Sequence, residues 1–154
     1  MKRTINSLTL FVFLATCIAW INCGDDENPL EPSQLTGTYT FGSLTDKVDN
    51  ITINAGDIVD LDGPGALPEG ALTGILEFTE TTFTVAFTII PTGAPPQTFT
   101  ASGTYATDGA TLTFNVMSST LSIFPVGPGF ARFSLTGDRL EIEIAVIIFV
   151  FDKQ

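Results

Sequence analysis

The sequence predicts an all-β domain of about eight antiparallel strands, arranged as an up-and-down barrel. From residue 35 onward apolar side chains recur at every second position, and turn sequences recur some 27 to 30 residues apart. Closing such strands into a barrel removes exposed edges and encloses either packed side chains or one small ligand. A two-sheet β-sandwich uses the same strands with different connections and stays open as the alternative.

The first 22 residues have the pattern of a signal peptide. Lys2 and Arg3 precede an apolar segment at residues 8–21. About 14 residues suit a signal-peptide core and are short for a bilayer crossing, which needs about 20. We therefore expect export and removal of residues 1–22. A transmembrane anchor is the alternative, because Trp20 and Ile21 extend the apolar segment.

Residues 23–34, "CGDDENPLEPSQ", form an acidic linker that cannot bury enough apolar surface to fold. At this point the chain resembles bacterial lipoproteins, in which a peptidase cuts before a cysteine that is then acylated. The resemblance covers residues 1–34 and implies that Cys23 is the lipidation site. "LATC" fits the family's local pattern better, so Cys17 is the alternative lipidation site. Cleavage there, however, would leave apolar residues 18–21 on the mature protein.

The lipoprotein resemblance implies a location in the cell envelope, with the membrane as partner through an N-terminal lipid anchor. "CGDDEN" is similar to the acidic tracts of surface-displayed lipoproteins of the Bacteroidetes type. We therefore expect the outer membrane, and the sequence leaves the surface and periplasmic faces open. A protein partner is not identified.

Composition argues against several functions. The net charge is −11 with six basic residues, so nucleic acid is a poor partner and no basic patch is available for anionic lipid headgroups. The chain has no histidine, and both cysteines precede the folded region. The commonest general base and the usual soft metal ligands are thus missing from the body. We predict no catalytic residues, no metal and no cofactor.

The predicted strands follow in order along residues 35–154. An N-terminal pair lies near residues 37–44 and 48–54, and three hairpins turn at "TETT" around Glu80, "TDGA" at 107–110 and "TGDR" at 136–139. No segment is typical of a helix. Residues 145–151, "AVIIFVF", are apolar on both faces, which fits a strand covered on both sides, a closing strand against the membrane, or a contact for a partner.

Three segments resemble the bacterial lipocalin-like lipoproteins: "LTGTYTFGSLT", "GTYATDGATLTF" and "FSLTGDRLEIEI". The resemblance covers residues 35–44 and 97–145 and implies a calycin-like barrel over residues 35–154. The family's tryptophan is replaced here by Tyr39. Tyr39 is expected to close the base of the barrel, with the Arg139 or Arg132 side chain stacked on its ring. The alternative is that Tyr39 is an ordinary core aromatic.

Aromatic side chains on the predicted inward faces are the candidate ligand-lining residues. They suit an apolar ligand if the lumen is open and form the core if it is closed. The candidates are Phe83, Phe87, Phe99, Tyr105, Phe114 and Phe133.

The predicted function is a non-catalytic envelope lipoprotein that binds a small apolar ligand in its barrel. A structural or adhesive β-sandwich lipoprotein that binds a protein partner is the alternative. A small transmembrane barrel ranks last, because the outward faces carry threonine and glutamate.

Overall fold

The computed structural model describes residues 32–61, 67–121 and 123–154. This part of the chain contains one short helix and ten β-strands. The elements are α1 Pro32–Leu35, β1 Gly37–Asp46, β2 Ile51–Asn54, β3 Ile58–Leu61, β4 Leu67–Phe78, β5 Thr82–Pro91, β6 Gln97–Asp108, β7 Thr111–Ser119, β8 Gly127–Thr136, β9 Arg139–Ile144 and β10 Ile147–Lys153. None of the described helices is long and apolar enough to span a bilayer.

Eight of the strands close into an antiparallel barrel. From β4 to β10 each strand pairs with the next along the chain, β10 pairs with β1, and the first half of β1 pairs with β4. The prediction of an up-and-down, all-β barrel is confirmed, and the β-sandwich alternative is not the arrangement. Every strand of the ring has two neighbours, so its backbone groups are satisfied laterally.

The three predicted hairpin turns are confirmed. They fall between β4 and β5, between β6 and β7, and between β8 and β9. In the last two, Gly109 and Gly137 have φ angles of 56° and 60°, in the left-handed region that glycine enters without a steric penalty. These turns, α1 and the end of β10 lie at one end of the barrel, which we call the base. The opposite end is the mouth.

Membership of the ring differs from the sequence prediction. β2, predicted as one of the eight strands, lies outside the ring and pairs only with the second half of β1, while β10 supplies the eighth member. β3 was not predicted. The apolar run at 145–151 begins with a two-residue turn, in which Ala145 has a φ of 53°, before β10 starts.

A β-bulge at Gly42 explains why one edge of β1 pairs with two strands, β4 and then β2. The register with β10 shifts between Phe41 and Ser43, and beyond this point β1 leaves β4 and pairs with β2. The corner between β2 and β3 fills the resulting fork. The Ala55 N–H donates to the Gly42 carbonyl at 2.8 Å, and the Gly56 N–H donates to the Leu72 carbonyl at 2.7 Å. The corner therefore links β1 to β4 where their direct pairing ends.

Candidate ligand site

The base of the lumen is sealed by α1 and two tyrosines. Leu35 and Tyr39 are completely buried, and the Tyr39 hydroxyl donates to the Leu35 carbonyl at 2.9 Å. The Tyr105 hydroxyl donates to the Thr79 carbonyl at 2.6 Å. The Phe78 ring lies between the two tyrosines, with centroid distances of 6.2 Å to Tyr39 and 4.7 Å to Tyr105. Paired hydroxyls let both rings be buried without an unsatisfied polar atom.

The cation on Tyr39 comes from the last strand. Lys153 places its Nζ 5.6 Å from the Tyr39 ring centroid. The expectation of Arg139 or Arg132 was therefore wrong. Both arginines are exposed on the outer side, where Arg139 Nε is 3.2 Å from Glu141. Lys153 faces Tyr39 directly across the β1–β10 pair, and only the barrel closure creates that neighbourhood.

Burial raises the pKa of both base tyrosines. For Tyr39, loss of solvation is the main cause, and the charges of Tyr105 and Asp138 add to it. For Tyr105, loss of solvation again comes first. A side-chain hydrogen bond with Thr36 lowers its pKa, and Glu80 raises it. The folded state therefore favours the neutral phenols.

We expect stability to fall in alkali, because the unfolded chain ionises these tyrosines near their ordinary pKa of about 10 while the folded chain holds the protons. The free energy of unfolding should be undiminished below that pH and decrease as the pH rises through it. Urea unfolding at about pH 9 and about pH 11 measures the loss. Tyr39→Phe should reduce this alkaline loss of the free energy of unfolding. An unchanged pH dependence in Tyr39→Phe would contradict the assignment.

Aromatic rings fill the middle of the lumen. Phe87 lies 5.4 Å from Phe41, 5.8 Å from Phe149 and 6.3 Å from Phe151, measured between ring centroids. Phe83 and Phe114 pack edge to face at 6.1 Å. Rings from four different strands thus meet on the barrel axis, in the tilted and edge-on geometries that aromatic pairs favour.

Inward glycines make room for these rings. Gly74 is the register partner of Phe87, and Gly129 is the register partner of Phe114. A Cβ on Gly74 would come within 2.8 Å of the Phe87 ring, and one on Gly129 would overlap the Phe114 ring. Each ring therefore lies against bare backbone of the neighbouring strand.

A small cavity remains in this packing, lined by residues that the structure describes. Its volume is about 20 Å³ of space that the centre of a water molecule can reach, which suffices for roughly one water, since about 10–15 Å³ is enough. The walls carry no polar side chain. The lining residues are Leu76, Phe78, Phe83, Val85, Leu112, Phe114, Phe124, Ile142, Ile144, Phe149 and Phe151.

The mouth side of this cavity is covered by Phe124, from the loop between β7 and β8. Its ring centroid is 6.1 Å from Phe114 and 6.1 Å from Phe149. All other lining residues belong to strands. Nearer the fork, Ile53, Val59 and Ile89 form a second buried cluster, against which Phe99 packs half-buried.

The predicted lining residues divide into three groups. Phe83 and Phe114 line the cavity, while Phe87, Tyr105 and Phe133 are buried in the same core without lining it. Phe99 belongs to the second cluster. The sequence analysis missed four aromatic lining residues: Phe78, Phe124, Phe149 and Phe151. Phe149 and Phe151 occupy alternate positions and so share one strand face. Because both faces of this segment are apolar, the sequence does not show that theirs is the inward one.

Other candidate chemistry in the described residues is sparse. They contain no group of three or more His, Cys, Asp or Glu side chains that could hold a metal ion. Asp46, the buried carboxylate among them, accepts a hydrogen bond from the Val48 N–H at 2.8 Å and so caps the β1–β2 turn. Cys23 and Cys17 lie outside the described residues.

A closed eight-strand barrel with an apolar lumen defines a lipocalin-like fold. Two solved structures are similar: a lipocalin-like protein from Bacteroides uniformis ATCC 8492 has a TM-score of 0.51 and 13% identity, over 78% of this chain and 98% of that chain. An uncharacterized protein from Bacteroides eggerthii DSM 20697 has a TM-score of 0.48 and 10% identity, over 78% and 99%. No protein-family model and no curated protein matches the sequence. The first similarity supports the lipocalin-like assignment of the fold.

Proposed function

We propose that the protein is a non-catalytic, lipid-anchored protein of the cell envelope whose barrel binds a small apolar molecule. The observation that carries the proposal is the cavity beside Phe124, whose lining residues are all apolar. Such a surface gains from excluding water and offers no group that would act on a bound molecule chemically.

Ligand entry requires displacement of Phe124, because the cavity as it stands holds little more than a water molecule. Phe124 is the lining residue that no strand holds in place, so it can leave without breaking the ring. The space vacated by a benzyl side chain adds to the existing cavity. The expected ligand is therefore a neutral apolar molecule about the size of one aromatic ring, packed among Phe83, Phe114 and Phe149.

The anchor rests on the sequence of residues 1–34. An apolar leader, a cysteine and an acidic linker follow one another, as in bacterial lipoproteins. The first described element, α1, lies at the barrel base, so a tether from Cys23 would leave the mouth free for ligand entry. The absence of histidine from the sequence supports a binding function over catalysis.

The proposal is tested on the full chain, produced in a bacterial host that processes lipoproteins and extracted from membranes with detergent. Mass analysis of the N-terminal peptide should find acyl chains on Cys23. Native mass spectrometry should find apolar small molecules that co-purify with the protein. A product that begins at Met1 without acyl mass contradicts the anchor, and ligand-free protein that takes up no added apolar probe contradicts binding.

Phe124→Ala should enlarge the site and increase the uptake of benzene, used as a neutral one-ring probe, relative to the unmodified protein. Phe130→Ala is the matched control, because Phe130 is 73% exposed on the outer wall and does not line the cavity. Benzene uptake that is identical in Phe124→Ala and Phe130→Ala would show that the lumen is not the binding site.

A further inference from the structure

An apolar strip lies on the outer wall of the barrel along β7 and β8. Met117 and Val126 are each 67% exposed, and Phe130 is 73% exposed. Pro128 is also exposed, between Val126 and Phe130 on the same side. We call Met117, Val126, Pro128 and Phe130 the β8 face. Large apolar side chains that are exposed side by side, rather than singly, mark a contact surface.

The register shows that these residues are neighbours. Phe130 pairs with Thr113, Pro128 pairs with Asn115, and Gly127 pairs with Val116. Met117 and Val126 come directly after Val116 and directly before Gly127, the last residues paired in this register. Since alternate residues of a strand share a face, Pro128 and Phe130 point outward while Gly129 and Ala131 point inward. Val126 precedes the strand and is likewise exposed.

Charge is segregated around the barrel. The outward positions of β7 and β8 carry no carboxylate, and Arg132 follows Phe130 as the next outward residue. On the adjacent strand, by contrast, Glu141 and Glu143 occupy consecutive outward positions. In a chain with 17 acidic and six basic residues, this wall lacks the negative charge that covers other parts of the surface. It can approach a lipid surface without desolvating a carboxylate.

We propose that the β8 face lies against the lipid surface of the membrane to which the chain is anchored. This inference rests on the anchor of the proposed function. The nine residues 23–31 can reach at most about 30 Å from α1. Phe130 lies six residues from the base end of β8, or about 20 Å along the strand, so the tether is long enough for the barrel to lie on this wall.

A second copy of the chain is a less suitable occupant. Two copies would each bring a net charge of −11 into close approach, whereas a zwitterionic bilayer brings none. Phe130 and Met117 would enter the boundary between headgroups and acyl chains, where exposed apolar side chains of peripheral proteins insert. The covalent anchor holds the protein at the membrane, and the β8 face sets the orientation of the barrel on it.

The test places one tryptophan on the β8 face of the full, lipid-modified chain. Phe130→Trp then supplies the tryptophan signal, because cleavage before Cys23 removes Trp20 with the leader. The protein is reconstituted into phosphatidylcholine vesicles with and without bromine on the acyl chains. We expect a blue-shifted emission from position 130 and a loss of fluorescence in the brominated vesicles.

Ile75→Trp, in the same lipid-modified protein, is the matched control. Ile75 is 50% exposed and apolar, and β4 lies four strands from β8 in the ring of eight, on the opposite wall. We expect no bromine quenching at position 75. Equal quenching at both positions, or none at position 130, overturns the proposal. A blue shift at position 130 that increases with protein concentration, without bromine quenching, also overturns the proposal. That result would indicate contact with a second copy of the chain.

Failure of this inference is distinguishable from failure of the proposed function. The N-terminal peptide mass reports the acyl chain directly. An acylated protein without quenching at position 130 keeps its anchor and loses the β8 contact. A protein without acyl mass loses the anchor and, with it, the basis of this inference.

Discussion

Replacing Phe87 with alanine is expected to lower the free energy of unfolding by about 3–5 kcal/mol. The side chain is almost fully buried and packs against rings from β1 and β10. Those rings are carried by strands of a closed barrel, which limits how far they can collapse into the space left behind. Urea unfolding of the variant and the parent protein, monitored by far-UV circular dichroism, measures the difference.

Phe130→Ala is the control for this prediction, because the same atoms are removed from a side chain that is 73% exposed. We expect a change within about 0.5 kcal/mol. Equal losses at the two positions would contradict the packed-core interpretation of the lumen. Phe87 does not line the cavity, so its loss should appear first in stability and not as a selective defect in ligand uptake.

The hairpins from β4 to β9 were predictable because local chemistry specifies them. In β5, inward Phe83, Val85 and Phe87 alternate with outward threonines, and Asp-Gly and Gly-Asp pairs mark the turns after β6 and β8. Each such hairpin is specified within about 25 consecutive residues, where side-chain period and turn geometry act together.

Ring closure was not predictable in the same way. At the Gly42 bulge, β1 stops pairing with β4 and begins pairing with β2. No local sequence pattern indicates this change of partner. β3 is only four residues long and follows a tight corner, so it shows too little alternation to be recognised. The turn at Ala145 is concealed because alanine and valine continue an apolar run.

The lumen was predicted in part for a related reason. Phe83 and Phe114 sit in alternating segments, and their inward direction follows from period two. Phe124 lies in a loop without any period, and Lys153 reaches Tyr39 only because β10 closes against β1. Residues brought together by closure, rather than by a hairpin, are those that sequence reasoning missed.

Gly103→Ala should destabilise the barrel by at least about 1–3 kcal/mol, the usual cost of overfilling a packed core. Gly103 lies where the β6–β7 register shifts, and a Cβ there would overlap the Asn115 carbonyl oxygen and lie 3.0 Å from the Val116 Cα. The obstacle is backbone. The two strands would have to separate, and no side-chain rotation relieves the contact.

Gly129→Ala should also destabilise the protein, but here the obstacle is the Phe114 ring. Replacing that ring with the smaller side chain of leucine, in Phe114→Leu, should recover part of the lost free energy of unfolding. We expect a coupling energy of about 0.5–3 kcal/mol in a double-mutant cycle measured by urea unfolding. The equivalent cycle of Gly103→Ala with Phe83→Leu should be additive, although Phe83 is the register partner of Gly103 on β5. Rescue in the Gly103 cycle, or additivity in the Gly129 cycle, would mean that backbone and side-chain crowding have been assigned to the wrong glycines.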